Sequence, residues 1–260
     1  MVRPEDRCQI GKIAFDVATL DGAVERTLGD ALSGHGIDVH FPNAWSIALA
    51  NDDGGVRESF GNGRNYPDGQ PVVWAMRLMR RGELGVAEAH RVSGTPFFEQ
   101  ALRDGVTRNI RHYFLGSTPE TLEKLQSNLI SRFPGVQIVG VSSPPFKDLT
   151  STDYDVELEK INECGPHIVW VGLGTPKQDK AAAYMTLRYP AIFACVGAAF
   201  DFNAGNLRDT PNWIQAAGFA WLYRFVQEPR RLWRRYTYGN VKFIAIVLSQ
   251  LKQQRRAGQQ

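Results

Sequence analysis

The chain has 260 residues, a net charge of +3 and three widely spaced cysteines, Cys8, Cys164 and Cys195. This length suits one large domain, or a domain with a small appendage, and allows a substantial core. An odd cysteine count without any CxxC argues against a disulfide framework or a zinc site and fits a reducing compartment.

The first residues, MVRPEDRCQIGK, carry no apolar signal-peptide core and read as a loose lead-in to about Gly11. Ile13 to Val17 suits a short strand, Asp21 to Leu32 a helix broken by Gly34-His35-Gly36, and Ile37 to Phe41 a strand ending at Pro42-Asn43-Ala44. A helix begins near Trp45, loops follow at Gly54-Gly55 and Gly61-Asn62-Gly63, and Pro67-Asp68-Gly69 is a turn signal before a helical Val72 to Met79. Arg91-Val92-Ser93-Gly94-Thr95 precedes a helix from Pro96.

The second half has a plainer pattern. Tyr113 to Leu115 is a strand closed by Gly116, and Pro119 opens a helix with Leu122, Leu125, Leu129 and Ile130 at helical spacing. Gln137 to Val141 is the next strand and Asp155 to Cys164 the next helix. The buried run Ile168 to Val171 then meets Gly172-Leu173-Gly174-Thr175-Pro176, a helix from Lys177 to Arg188, and a second buried run, Ile192 to Val196. Strand, glycine loop, helix and strand make a βαβ unit, whose helix N-terminus favours an anion. The alternation predicts an α/β fold: a Rossmann-like three-layer sandwich with a largely parallel sheet over residues 1–220, plus a C-terminal helical basic appendage over 221–260.

That last segment changes character. From Tyr223 to Gln260 there are nine Lys/Arg and one acidic residue, a local charge of +8 on a body of −5. Trp221, Tyr223, Trp233 and Tyr236 interleave with the arginines, and Val241, Ile244, Leu248 and Leu251 share one helical face. This pattern suits an anionic membrane surface rather than nucleic acid. The apolar run Phe243 to Leu248 falls far short of the ~20 residues of a bilayer span, so the expectation is a soluble or peripheral chain.

Several residues are candidates for chemistry, each with a plain alternative. Gly172-x-Gly174 lacks the third glycine of the dinucleotide fingerprint, since Lys177 stands there. It is a tight β–α turn or a diphosphate contact. Asp68-Gly69 is a common turn dipeptide, yet Asp68 also lies at a strand-to-helix junction, where active-site carboxylates sit. Asn43 either caps the next helix or enters a pocket. Arg91 is a surface arginine or an anion contact. Gln178, on the first turn of its helix, reaches a ligand or water. Asp201 lies between Phe200 and Phe202 and needs a partner or a purpose. The five histidines show no ligand spacing and no DxD pair stands in the core, so no metal is expected; nor is there a G-x-S-x-G elbow.

Taken together, Val171-Gly-Leu-Gly-Thr-Pro-Lys-Gln178, Val196-Gly-Ala-Ala-Phe-Asp-Phe-Asn-Ala-Gly205, Arg208 with Pro211 and Trp213, and Trp221 to Arg230 resemble the WecG/TagA/CpsF glycosyltransferase family, glycosyltransferase family 26. Pro42-Asn43-Ala44, Pro67-Asp68-Gly69 and Arg91-Val92-Ser93-Gly94 extend the likeness more thinly. The resemblance implies inverting, metal-independent transfer from a UDP-sugar to an undecaprenyl-diphosphate-linked saccharide, in exopolysaccharide or cell-envelope polysaccharide synthesis, without a cofactor. It implies Asp68 as general base and Asn43 in the pocket. Arg91 falls on the diphosphate, Gln178 in the P-x-Q motif and Asp201 near the nucleotide, with Gly172 and Gly174 in the loop. Arg224 and Arg230, by their own position at the start of the appendage, are expected to reach the donor or acceptor diphosphate. A homo-oligomer is compatible with the resemblance. Phe41 stands where the family often has threonine, which leaves the donor open between a hexose and N-acetylmannosamine. The competing readings are a non-catalytic nucleotide-binding module docked on membranes and, less favoured, an NAD-linked oxidoreductase.

Overall fold

The computed structural model describes residues 7–80, 89–207, 233 and 235–257. Eight strands are β1 (Arg7–Ile10), β2 (Ile13–Asp16), β3 (Ile37–His40), β4 (Arg64–Asn65), β5 (Arg111–Gly116), β6 (Gln137–Ser142), β7 (Ile168–Gly172) and β8 (Ile192–Cys195). The longer helices are α1 (Leu20–Ser33), α2 (Ala44–Asp52), α4 (Gln70–Met79), α5 (Gly94–Val106), α6 (Pro119–Arg132), α7 (Ser151–Cys164), α8 (Lys177–Thr186) and α10 (Asn240–Ala257), with short α3 (Gly54–Glu58) and α9 (Ala199–Asn203).

β3 to β8 form a six-stranded sheet in the order β4-β3-β8-β7-β5-β6, with every pair parallel. β1 and β2 form a separate antiparallel hairpin. The central strands are apolar without alternation because both faces are covered. Phe114, Trp170 and Ala194 lie on one face with α1, α5 and α6 residues such as Leu28, Phe98 and Leu125. Leu115, Val169, Val171 and Phe193 lie on the other with Ile161 of α7 and Met185 of α8. This is the three-layer sandwich.

A further core joins the ends of the chain. Ile10, Ile13 and Phe15 of the hairpin pack with Ile47 of α2, Met76 of α4, and Phe243 and Val247 of α10. Gln250 clamps the hairpin turn, accepting from Gly11 N–H at 2.9 Å and donating to Gln9 O at 2.8 Å. The buried face of α10 is therefore Phe243/Val247; of the face read from sequence, Val241, Ile244 and Leu248 are more than half exposed, while Leu251 packs partly buried against this core. The expected loose lead-in is also corrected. Arg7–Ile10 is a strand, because Cys8 and Ile10 alternate into this core while Arg7 pairs with buried Asp16 at 3.2 Å.

Candidate active site

Three loops converge at the carboxyl ends of β3 and β4. Asp68 N–H donates to Pro42 O at 3.0 Å and Val92 N–H to Pro67 O at 3.0 Å. The segments carrying Asn43, Asp68 and Arg91–Ser93 are thereby stitched side by side. Asn43 caps α2: its Oδ1 accepts from Trp45 N–H at 3.0 Å and Ser46 N–H at 3.3 Å, and Ser46 Oγ returns the bond. Its Nδ2 donors are not used in that cap.

Ser93 occupies the N-cap position of α5, where a serine normally caps the helix. It makes no capping bond. Its hydroxyl donates instead to Asp68 Oδ1 at 2.6 Å, a charge-assisted bond that fixes the carboxylate. Asp68 Oδ2 makes no hydrogen bond among the described residues. Asp68 is partly exposed and Arg91 exposed. Sequence reasoning did not assign Ser93 a role; its partner Asp68 is 25 residues away, with no spacing to mark it.

The second half of the site follows β7 and β8. Backbone closeness joins it to the first: a methyl group on Gly94 would lie 3.3 Å from Val196 O, and one on Gly197 3.4 Å from Gln178 Oε1. Gly172 is a glycine because Phe200 would stand 2.6 Å from any Cβ there. Gly174 has φ of +77° and open space at its Cα, so its backbone, rather than packing, requires glycine. The peptide before Pro176 is cis.

Gln178 is buried and structurally engaged. Its Oε1 accepts from Gly174 N–H at 3.0 Å, and its Nε2 donates to Cys195 O at 3.1 Å. This corrects the reading of Gln178 as a side chain turned to ligand or water: the amide ties the glycine loop to β8, and the Gly174 N–H is spent on it. Asp201, on α9, has Asn206 as its partner; Asn206 N–H reaches the Asp201 carbonyl at 2.9 Å and its amide reaches Oδ1 at 3.5 Å. Arg224 and Arg230 lie outside the described residues.

Beneath the glycine loop is a titratable cluster that the sequence spacing did not reveal. His40 ends β3, Cys195 ends β8 and Asp179 sits on the first turn of α8; all are buried, as is Asp38. His40 Nε2 lies 2.7 Å from Asp38 Oδ2, and Nδ1 lies 2.9 Å from Asp179 Oδ1. Burial opposes charge on His40, but Cys195, Asp179 and Asp38 outweigh it and raise its proton affinity well above that of an ordinary imidazole. His112, equally buried, shows the contrast. Burial, helped by His167, pushes it down to about 3, and its Nδ1 accepts from Trp170 Nε1–H at 3.1 Å. The lack of a local ligand spacing around the histidines holds for His40 too, since its partners come from other elements. Its partner Asp179 is 139 residues away, and only the β3–β8 pairing and the α8 crossover bring them together.

A sequence model described as the glycosyl transferase WecG/TagA/CpsF family matches residues 8–257, nearly the whole chain.

Proposed function

The chain belongs to the WecG/TagA/CpsF glycosyltransferase family, a glycosyltransferase of cell-envelope polysaccharide synthesis, and we propose that it moves a sugar from a UDP-sugar to an undecaprenyl-diphosphate-linked saccharide with inversion, Asp68 acting as base. The observation that carries this reading is the Ser93–Asp68 bond. One carboxylate oxygen is held at 2.6 Å by a serine diverted from capping, and the other makes no hydrogen bond among the described residues.

In the proposed step the acceptor hydroxyl oxygen bonds to the anomeric carbon as the carbon–oxygen bond to UDP breaks. The hydroxyl proton passes to Asp68 Oδ2, and the electron pair leaves with the diphosphate. Single-displacement transfer of this kind inverts the anomeric centre. Arg91, exposed beside Ser93, meets the departing charge, joined in this reading by Arg224 and Arg230. Phe41 packs 4.9 Å from Phe97, centroid to centroid, so an aromatic wall replaces a hydroxyl contact near Asn43. We take this to favour a hexose donor without a dedicated hydrogen bond from position 41.

No described helix is long and apolar enough to cross a membrane. The exposed Val241/Ile244/Leu248 face of α10 and the basic residues around it suit peripheral docking on an anionic cytoplasmic leaflet, where the acceptor lipid resides.

The test is a thermal-shift screen against UDP-sugars, followed by transfer assays with the best donor and a lipid-diphosphate acceptor. A UDP-hexose that raises Tm and is consumed supports the proposal. A protein that binds UDP-sugars but turns over none with any lipid-linked saccharide points instead to a nucleotide-binding module.

A further inference from the structure

The buried cluster under the glycine loop carries an inference independent of the transfer reading. His40 Nδ1, Cys195 Sγ and a carboxylate oxygen of Asp179 all lie within 4.8 Å of one another. These are three ligand types with affinity for the same ions: imidazole, thiol and carboxylate together select zinc-like metals over magnesium or calcium. We propose that His40, Asp179 and Cys195 bind a single divalent transition ion of the zinc class.

Two features support a built site rather than an accident of packing. First, Asp179 is only 2 % exposed, and its Oδ2 has no hydrogen-bond partner among the described residues. Leaving a buried carboxylate oxygen bare is costly. The bare Asp179 oxygen takes the ion beside Nδ1 and Sγ, three protein ligands of a tetrahedral site whose fourth position a water can fill. Second, the other nitrogen of His40 already has the partner that metal-bound histidines take. Asp38 Oδ2 lies 2.7 Å from Nε2, accepting its proton and turning Nδ1 toward Asp179 and Cys195.

The charges agree. A divalent ion takes the place of the Nδ1 and thiol protons, and the Cys195 thiolate and Asp179 carboxylate then neutralise it. Ligand atoms around a tetrahedral zinc lie roughly 3.3–3.8 Å apart, so the present cluster must tighten or open by an ångström or less at each contact. Cys195 Sγ now rests 3.3 Å from Gln178 O, a weak contact that is readily given up.

The ion would not touch substrate. Every ligand is buried, and Asp179 follows Gln178, which holds the glycine loop. Its role is to lock β3, β8 and α8 to one another beneath that loop. This is a structural metal, and it leaves the leaving-group chemistry to the arginines.

The experiment uses the untagged full-length chain, purified without chelator. Elemental analysis is expected to find zinc in stoichiometric amount. After removal of the native ion, Co²⁺ should give the near-ultraviolet thiolate-to-cobalt band together with the intense visible bands of four-coordinate cobalt. Cys195→Ser should abolish the thiolate band, while Cys8→Ser and Cys164→Ser should keep it. Wild-type protein that retains no metal, and that leaves Co²⁺ with only the spectrum of the aquo ion, overturns the proposal and assigns the cluster to a doubly hydrogen-bonded imidazolium. A thiolate band that survives Cys195→Ser also overturns it. If that variant does not fold, the wild-type measurements decide alone.

Discussion

The two halves of the candidate site spend their side chains in opposite ways. On the N-terminal half, a serine gives up its helix cap to hold Asp68, and among the described residues Asp68 Oδ2 and the Asn43 amide nitrogen make no hydrogen bond. On the C-terminal half, Gln178 is consumed by structure, with its oxygen on Gly174 and its nitrogen on Cys195. The difference separates groups that can act on a substrate from groups that shape the surface on which it sits. A residue in a family motif need not be a contact; Gln178 earns its place by what it holds still.

The sharpest way to break this comparison is to change one residue in each half. Asp68→Asn keeps the size and the bond to Ser93, so folding and UDP-sugar binding should stay near wild type. Transfer should fall by ~10²–10⁴-fold, the usual worth of a general base. Single-turnover rates on a lipid-diphosphate acceptor measure it, and turnover near that of the wild type would remove Asp68 from the mechanism. Gln178→Ala should do the reverse in kind. It leaves the Gly174 N–H and the Cys195 carbonyl unpaired, which costs about 1–3 kcal/mol of stability. Urea denaturation should report that loss, with any fall in turnover accompanied by weaker donor binding. An Ala variant as stable as the parent would show that the amide is not the clamp described.

The same division explains what could be read from the chain beforehand. β7 and β8 announced themselves because both faces are buried, so Ile168–Val171 and Ile192–Cys195 are continuous apolar runs. β4 did not. It is Arg64–Asn65, two polar residues whose burial depends on distant partners: Asn65 donates to Ala14 O and Phe60 O, and its N–H reaches Asp16. Asn43 was legible as a cap because the cap is local, and the structure confirms that bond. The Ser93–Asp68 contact spans 25 residues and the His40–Asp179 contact 139, so neither has a spacing to recognise. Their only sequence signal was position: polar residues at predicted strand ends and helix starts, where an α/β sheet gathers its site.

α10 offers a smaller version of the comparison, since one helix has a face committed to the core and another left open. Val247 is buried against the hairpin, while Ile244 and Leu248 are more than half exposed. Ile244→Glu with Leu248→Glu should leave Tm within a few degrees of wild type and weaken co-sedimentation with anionic vesicles. Added salt should weaken the wild type in the same direction, because the basic residues are screened. Unchanged pelleting by the double variant would place the membrane contact elsewhere on the chain.

The weakest link between the two faces of the comparison is the anchor that sets α10 on α2. Asp52, the last residue of α2, accepts from Lys242 Nζ at 2.8 Å and from the Tyr238 hydroxyl at 2.7 Å. A carboxylate at a helix C-terminus is disfavoured by the dipole, and these contacts, with a further bond from Asn51 Nδ2 at 3.2 Å, offset that. Lys242 first, then Tyr238, lower its pKa to about 2. For a carboxylate whose folded pKa is depressed, the stabilisation is fully present above the unfolded value near 3.8 and is lost as pH falls through about 2. The pair is partly exposed, with Asp52 at 40 %, so solvent screening keeps the effect small and local. Amide exchange along α10 should therefore quicken between pH 4 and pH 2 relative to exchange in β7, once the intrinsic pH dependence is divided out. Asp52→Asn should flatten that excess while leaving the Phe243 and Val247 packing in place. If the excess persists in the variant, the acid sensitivity of α10 belongs to another group and the Asp52 anchor holds nothing down.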